Sequence, residues 1–259
     1  MTRVALLQID VSDNIAPQER IADVVKLIRN QAGKCDFAVL PELWTIGAFN
    51  SAALHENAEY RDGALVSELQ SAARDTGIWL HGGSFVEKHG TGISNTALVI
   101  RPDGSVASMY RKIHLFGFDE GEAIVLERGD EIVTLADSPL GTVGIATCYD
   151  LRFPELFREH AARGTDVIII SSGWPTPRIN HWRILIQARA IENQAWVIAC
   201  NEVGQNGSVT LGGHSMVVDP MGNIVCEAAF DAEVLYADID VALAKKWRGE
   251  FPVQRDRVL

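Results

Sequence analysis

Two kinds of hydrophobic pattern alternate along the chain and predict strands and helices in turn. Short continuous apolar runs, typical of strands covered on both faces, are separated by segments with the apolar spacing of an amphipathic helix. The runs and the hairpin-like segments predict strands at residues 4–9, 37–40, 78–86, 95–101, 143–147, 167–171, 196–200, 213–219, 224–228 and 235–239, with a further strand after the turn at 102–105. The helical spacing predicts helices at residues 17–31, 65–74, 154–163, 182–193 and 241–247.

This alternation indicates the class of fold. Strands that alternate with helices predict a layered α/β protein, and the hairpin patterns add antiparallel pairs. We therefore expect a mixed sheet or two packed sheets. Since no linker, low-complexity stretch or internal repeat interrupts the pattern, we expect residues 1–259 to form a single domain.

Composition and charge restrict the classes of partner. The chain is 47% hydrophobic and 22% charged, which is typical of a globular protein. Its 34 acidic and 23 basic residues give a net charge of −11, which disfavours binding to nucleic acid or to an anionic membrane. No apolar run is long enough to span a bilayer, and the apolar start is too short for a signal peptide. The four cysteines form no CxxC pair, so we expect a cytoplasmic protein without disulfides or a zinc ribbon.

Cys148 lies where a predicted buried strand ends and a helix is about to begin. The segment reads Val143-Gly-Ile-Ala-Thr-Cys148-Tyr-Asp-Leu-Arg-Phe-Pro154. In α/β sheets such junctions lie at the edge where ligands bind, and nearby N–H groups favour a thiolate. Packing as a small buried hydrophobic group is the commoner role of a free cysteine. The junction alone therefore leaves both interpretations open.

Glu42 and Lys112 occur in contexts that are similarly suggestive. Glu42 follows Pro41 just past a predicted strand, and Lys112 belongs to the segment Tyr-Arg-Lys-Ile-His-Leu. Taken singly, these residues also fit a surface glutamate and one member of an exposed basic pair. Taken with Cys148, they give an ordered set of a glutamate, a lysine and a cysteine.

The three segments resemble the motifs of the nitrilase, or carbon–nitrogen hydrolase, superfamily. Those motifs are a Pro-Glu after a strand, an Arg-Lys-x-His-Leu segment and a Cys at a turn followed by Tyr-Asp-x-Arg-Phe-Pro. All three are present here without substitution. The segments at 4–8, 182–204 and 213–222 also resemble this family, so the resemblance covers essentially the whole chain.

The resemblance implies a fold, a chemistry and an assembly. The fold is an α/β four-layer α-β-β-α sandwich with mixed sheets, and members usually pair into homodimers. The chemistry is hydrolysis of a small-molecule amide through a cysteine thioester, with no metal and no cofactor. Cys148 would be the nucleophile and Glu42 the base, while Lys112 and the backbone N–H of Tyr149 would stabilise the oxyanion.

Further site residues follow with less specific motifs. A second glutamate of the family corresponds to Glu122, which precedes Gly129 by seven residues, although Glu120 and Glu127 lie close to it. This residue would hold Lys112 or the amide nitrogen of the substrate.

Arg152 is a candidate for binding a substrate carboxylate, and an ion pair with Asp150 or Glu155 is the alternative. If the substrate is an anion, Arg111 and Lys112 are the other positive residues near the motifs.

Aromatic side chains are candidates for the lining of the pocket. Trp174, Phe118 and Tyr149 lie in loops near the motifs, and loops after catalytic strands usually line a site. For Phe116 we expect packing in the core instead.

Within the family, the segments 172–175 and 188–196 are most similar to omega-amidases, which hydrolyse the amides of short 2-oxo-dicarboxylates such as 2-oxoglutaramate. N-carbamoyl hydrolysis and deaminated-glutathione amidase activity remain alternatives, and the motifs do not exclude a nitrilase.

Functions of other classes predict different features. A non-catalytic protein on this fold would have a degraded triad, and a redox-sensing protein would place a second cysteine near Cys148. A papain-like pair would use His114 or His181, whereas Ser215 lacks the full Gly-x-Ser-x-Gly motif. The seven histidines show no spacing typical of zinc ligands.

Overall fold

A computed structural model describes residues 1–117 and 121–258 and contains two six-stranded sheets. With strands numbered along the chain, the first sheet consists in spatial order of β14 (Glu233–Ile239), β1 (Thr2–Gln8), β2 (Phe37–Val39), β3 (Trp79–His89), β4 (Gly92–Ile100) and β5 (Val106–Arg111). The second consists of β13 (Ile224–Glu227), β12 (Met216–Val218), β9 (Trp196–Cys200), β8 (Val167–Ser171), β7 (Gly141–Thr147) and β6 (Thr134–Ser138). A small hairpin pairs β10 (Val203–Asn206) with β11 (Val209–Gly212).

Helices cover the outer face of each sheet. In chain order they are α1 (Pro17–Arg29), α2 (Ala64–Thr76), α3 (Glu122–Val125), α4 (Pro154–Ala162), α5 (Ile179–Asn193) and α6 (Val241–Glu250). The apolar faces of α1 and α2 share a core with one face of the first sheet, and α4 and α5 share a core with one face of the second. Helices α1, α2, α4 and α5 therefore bury their predicted apolar stripes against a sheet.

The two sheets pack face to face through a third core. Val4, Leu6 and Val39 from the first sheet meet Ile145 and Ile169 from the second, and all five are fully buried. The resulting order of layers is helix, sheet, sheet, helix, which confirms the predicted four-layer α-β-β-α sandwich with mixed sheets. It also explains why the central strands read as continuous apolar runs, since both of their faces are covered.

The centre of each sheet is parallel, and this arrangement places the site. Strands β1, β2 and β3 run parallel in the first sheet, as do β7, β8 and β9 in the second. The carboxyl ends of parallel strands meet at one edge. Glu42 follows β2, Cys148 follows β7 and Ser172 follows β8, so the chain delivers these residues to the edges where sites form.

The structure contains elements that the sequence pattern did not predict. Strand β6, helix α3 and the β10–β11 hairpin were absent from the prediction, and α5 begins at Ile179 instead of 182. Strand β6 lies at a sheet edge and buries only Leu135 fully, and the hairpin strands have four residues each, so neither carries a clear apolar period. The predicted strands at 167–171 and 196–200 match β8 and β9 residue for residue, and the other predicted strands and helices are present with shifted ends.

Candidate active site

Two sharp turns present Glu42 and Cys148. Leu43, directly after Glu42, has φ 40°, and Cys148 itself has φ 45°, at the start of the 3-10 turn Cys148–Arg152. Side chains larger than glycine rarely adopt this left-handed conformation, and it persists where the surroundings impose it. Both turns direct the chain away from the strand that precedes it. The structure thus departs from regular geometry at Cys148 itself and at the residue directly after Glu42.

Lys112 lies between two carboxylates in the protein interior. Its side chain is 1% exposed, and Nζ donates hydrogen bonds to Oε1 of Glu42 at 2.7 Å and to Oε2 of Glu122 at 2.6 Å. Burial alone would lower the pKa of Lys112, but the negative charges of Glu122 and Glu42 outweigh it and hold this pKa well above its usual value. The lysine is therefore a fixed cation. It is buried and is not one member of an exposed basic pair, which was the alternative interpretation of its sequence.

Glu122 is the second glutamate of the cluster. Its Oε1 accepts a hydrogen bond from Asn95, and its Oε2 accepts from Lys112 and from the backbone N–H of Phe116 at 3.0 Å. Burial raises the pKa of Glu122, while the charge of Lys112 acts in the opposite direction. Glu127 lies elsewhere, with its side chain 58% exposed near His89, and Glu120 lies outside the described residues.

Asn95 connects the two carboxylates and was missed in the sequence. Its Nδ2 donates to Oε1 of Glu42 at 2.8 Å and to Oε1 of Glu122 at 2.7 Å. The residue lies in β4 and is 1% exposed. A polar amide in a strand with two buried faces was the available signal, because a buried amide needs partners.

Gly173 links the glutamate to the cysteine through its backbone. Its N–H donates to Oε2 of Glu42 at 3.0 Å, and its carbonyl oxygen lies 4.0 Å from Sγ of Cys148, which donates to it. A Cβ at this position would overlap with the side chains of Ala48 and Glu202. Only glycine therefore fits this close approach.

The thiol of Cys148 is held in its neutral form. Burial raises its pKa well above the usual value, and the negative charge of Glu42 adds to this effect. Lys112 and the hydroxyl of Ser172 act in the opposite direction. A thiol in this environment needs a base at the moment of attack, and the Glu42 carboxylate is the neighbouring group of that kind.

A pocket opens onto these groups. Apart from Glu42, Lys112, Glu122, Cys148 and Gly173, its lining consists of Ala48, Phe49, Phe116, Tyr149, Arg152, Trp174, Pro175 and Arg178. The predicted lining residues Tyr149, Arg152 and Trp174 are thus in place, whereas Phe118 lies outside the described residues.

The prediction of core packing for Phe116 was wrong. The side chain is only partly buried and lines the pocket, with its ring edge-to-face on Tyr149 at 5.3 Å between centroids and on Phe49 at 5.8 Å. The backbone N–H of Phe116 donates to Glu122, which fixes this residue beside the pocket. Sequence alone does not reveal this contact.

Two guanidinium groups stand in the pocket wall. Arg152 lies over the ring of Trp174 at 4.7 Å from its centroid, and Arg178 lies over Phe116 at 5.8 Å. Neither pairs with an acidic side chain within residues 1–117 and 121–258. The predicted alternative for Arg152 does not occur, because Asp150 accepts hydrogen bonds from Tyr110, His114 and Thr147 instead.

Arg111 does not line the pocket with the other positive residues, contrary to expectation. Its Nε donates to Glu87 at 2.8 Å, and both line a separate cleft. Adjacent residues of a strand point to opposite faces, so Arg111 turns away from the side on which Lys112 is buried. Arg178, which belongs to none of the sequence motifs, lines the pocket instead.

The residues considered for a papain-like pair or a serine nucleophile have other contacts or lie on the surface. His114 bonds Asp150 through Nδ1 at 2.7 Å and stacks on Phe153, while His181 is exposed on α5. Ser215 is buried and accepts a hydrogen bond from the backbone N–H of Asn201. In the described part of the chain, no group of three or more His, Cys, Asp or Glu residues is arranged to hold a metal.

The free cysteines do not form a redox pair with Cys148. Cys200 ends β9, which β8 separates from the strand before Cys148, and its thiol donates to the carbonyl oxygens of Leu7 and Val39 between the sheets. Cys35 and Cys226 are also free thiols. The described residues therefore contain no resolving thiol bonded to Cys148.

Comparison with known proteins gives matches along nearly the full length. The carbon–nitrogen hydrolase family profile matches residues 3–249. The chain is 39% identical to a 2-oxoglutaramate amidase of Paenarthrobacter nicotinovorans (98% of this chain, 88% of the relative) and 35% identical to one of Bacillus subtilis (98% and 96%). Among solved structures, a CN-hydrolase superfamily protein of Xanthomonas campestris, with an arsenic adduct in its active site, superposes with a TM-score of 0.92 at 30% identity, covering 100% of this chain and 97% of that one.

Proposed function

The chain belongs to the carbon–nitrogen hydrolase family, and on that premise we propose that it is an amidase for the terminal carboxamide of a short 2-oxo-dicarboxylate such as 2-oxoglutaramate. The observation that carries the proposal is the buried set of Glu42, Lys112 and Glu122 beside Cys148, at the floor of a pocket whose wall holds Arg152 and Arg178. The names of the two relatives support the same class of substrate.

The first half of the reaction forms a thioester. Sγ of Cys148 attacks the carboxamide carbon while Glu42 accepts the thiol proton. The carbonyl oxygen becomes an oxyanion, which Lys112 and the backbone N–H of Tyr149 stabilise. Glu42 then delivers its proton to the amide nitrogen, the carbon–nitrogen bond breaks, and ammonia leaves.

The second half releases the acid. Glu42 accepts a proton from a water molecule, whose oxygen attacks the thioester carbon. The carbon–sulfur bond breaks, and the proton held by Glu42 returns to the sulfur of Cys148. The product leaves as the acid, which ionises to the carboxylate by giving its proton to the solvent. Lys112 and Glu122 keep their ion pair throughout, so the cation is held in place for both oxyanions.

The pocket wall supports a substrate that carries a negative charge. The protein has a net charge of −11, yet two guanidinium groups without acidic partners among the described residues face this pocket. Arginine binds planar carboxylates through paired hydrogen bonds. A 2-oxo-dicarboxylate monoamide presents such a group at the end opposite to its carboxamide.

An ammonia-release screen tests the proposed substrate. We expect 2-oxoglutaramate or 2-oxosuccinamate to be hydrolysed with the largest kcat/KM. Simple aliphatic amides of the same length should be slower by about 10-fold or more, since they lack the charged group. If N-carbamoyl amino acids or deaminated glutathione give the largest kcat/KM, the substrate proposal is wrong, although the amidase chemistry stands.

Arg152→Ala probes the contact with the carboxylate. We expect KM for 2-oxoglutaramate to rise by about 10- to 100-fold, because a charge-assisted hydrogen bond is lost, with little change for neutral amides. Arg111→Ala is the matched control, since it removes an arginine from the separate cleft. Steady-state kinetics on both substrates measure the difference, and equal losses on both would remove Arg152 from the substrate site.

We further propose that the chain acts as a single-domain homodimer in the cytoplasm. The exposed Ile184 and Ile191 on α5 support pairing through the helical face near the site, because apolar side chains are enriched in homodimer interfaces. The four free thiols fit a reducing compartment. Within the described residues no helix is both long and apolar enough to cross a membrane.

A further inference from the structure

Two adjacent serines end strand β8 with buried hydroxyls. Ser171 and Ser172 are both fully buried, and within the described part of the chain neither Oγ has a hydrogen-bond partner of ordinary geometry. A buried hydroxyl without a partner costs free energy, so each position calls for an explanation. The two residues therefore form a natural pair for comparison.

Their surroundings differ. In the parallel register of β7 and β8, Ser171 lies opposite Thr147, which brings Ser172 level with Cys148. The backbone of Ser172 is fixed there by its N–H, which donates to the carbonyl oxygen of Cys200 at 2.8 Å. Hydrogen bonding from the Ser172 side chain lowers the pKa of Cys148, against the larger effect of burial, whereas Ser171 is not among the main influences on this pKa.

The sulfur acquires a need for a donor during the reaction. The neutral thiol donates to the Gly173 carbonyl oxygen, and this contact offers nothing to an anion. When Glu42 removes the proton, the sulfur becomes a negatively charged acceptor in a buried site. Lys112 supplies a positive charge, but two of its three N–H groups bond the carboxylates and the third is needed by the substrate oxyanion.

We propose that Ser172 is a positioning residue that donates its hydroxyl hydrogen bond to the sulfur of Cys148 as the thiolate forms. The inference rests on the proposed function, since it concerns the same cysteine. It explains the partnerless hydroxyl, because the acceptor exists only once the proton has left. The bond also fixes the direction of the sulfur lone pairs toward the pocket, where the substrate carbon lies.

The test is the pH dependence of the reaction of Cys148 with methyl methanethiosulfonate, a small neutral thiol reagent. Attack by the thiolate forms a methyl disulfide and releases methanesulfinate. Peptide mass spectrometry follows modification at Cys148, and the assay needs no amide substrate. The full chain is compared with Ser172→Ala and with Ser171→Ala.

We expect Ser172→Ala to move the midpoint of modification to higher pH by about one pH unit and to lower kcat/KM for the best amide by about tenfold. Ser171→Ala removes an equally buried hydroxyl and should change neither quantity. Equal midpoints in the two variants would overturn the proposal. If Ser172→Ala is insoluble, Ser172→Gly replaces it with the same two expectations.

The outcome separates this inference from the proposed function. If the midpoint shifts but no amide is hydrolysed, the role of Ser172 stands and the proposed function fails. If amides are hydrolysed and the midpoint does not shift, the proposed function stands and the role of Ser172 fails.

Discussion

Replacing Cys148 by alanine is expected to lower kcat for amide hydrolysis by about 10⁴-fold or more, because no other thiol lines the pocket among the described residues and covalent catalysis is lost as a unit. Alanine retains the Cβ of cysteine, so the strained backbone at φ 45° is under the same constraint in the variant. The loss therefore reports on the sulfur and not on the turn. The measurement is ammonia release over hours at saturating substrate.

Mass spectrometry of the quenched reaction gives the independent check. The protein without substitutions should carry an acyl adduct on Cys148 during turnover, and the alanine variant should carry none. Cys200→Ala is the matched control, because Cys200 is also a fully buried thiol but lies between the sheets. Activity that survives Cys148→Ala would end the thioester mechanism.

The sequence predicted the site where local context is strong. Glu42 and Cys148 could be predicted because each follows a buried strand, and parallel strands bring their carboxyl ends to one edge. Lys112 follows the antiparallel strand β5, so only its Arg-Lys-x-His-Leu segment marked it. The strands themselves were readable because both faces of the central ones are covered. Family motifs then named the chemistry that the residue types allow.

Contacts between distant segments were not readable. Asn95 joins Glu42 and Glu122 across 53 and 27 residues, and nothing near it in the chain marks that role. Arg178 reaches the pocket because the short 3-10 turn Thr176–Arg178 carries it there, and Arg111 is lost from the site because Glu87 holds it elsewhere. Such outcomes depend on loop paths and pairing, which local patterns do not encode.

Replacing Glu42 by glutamine is expected to lower kcat/KM by about 10³-fold, because the amide cannot accept the thiol proton. The change is close to isosteric, but it is not neutral for the cluster. All three partners of this carboxylate, Lys112, Asn95 and the Gly173 N–H, are donors. At least one of these donors must therefore face the amide NH₂ of the glutamine, which is itself a donor, and lose its hydrogen bond.

Glu122→Gln is the matched control for that disturbance. Glu122 also accepts from three donors, including Lys112 and Asn95, so its variant suffers the same conflict and the same loss of charge. Glu122 raises the pKa of Cys148 less than Glu42 does. If the base is Glu42, we expect Glu122→Gln to lower kcat/KM by only about 10- to 100-fold, because the substitution displaces Lys112.

The sign of the effect on the thiol distinguishes a base from a scaffold. The negative charge of Glu42 raises the pKa of Cys148, so Glu42→Gln should let the thiolate form at lower pH. In Glu42→Gln, the neutral thiol reagent should then modify Cys148 at pH 7 at least as fast as in the protein without substitutions, while kcat/KM for amide hydrolysis falls about 10³-fold. A residue that merely supported the fold would slow both reactions together. If Glu122→Gln instead combines fast modification with the larger loss of hydrolysis, the base is Glu122, and the proton path must run on the other side of Lys112.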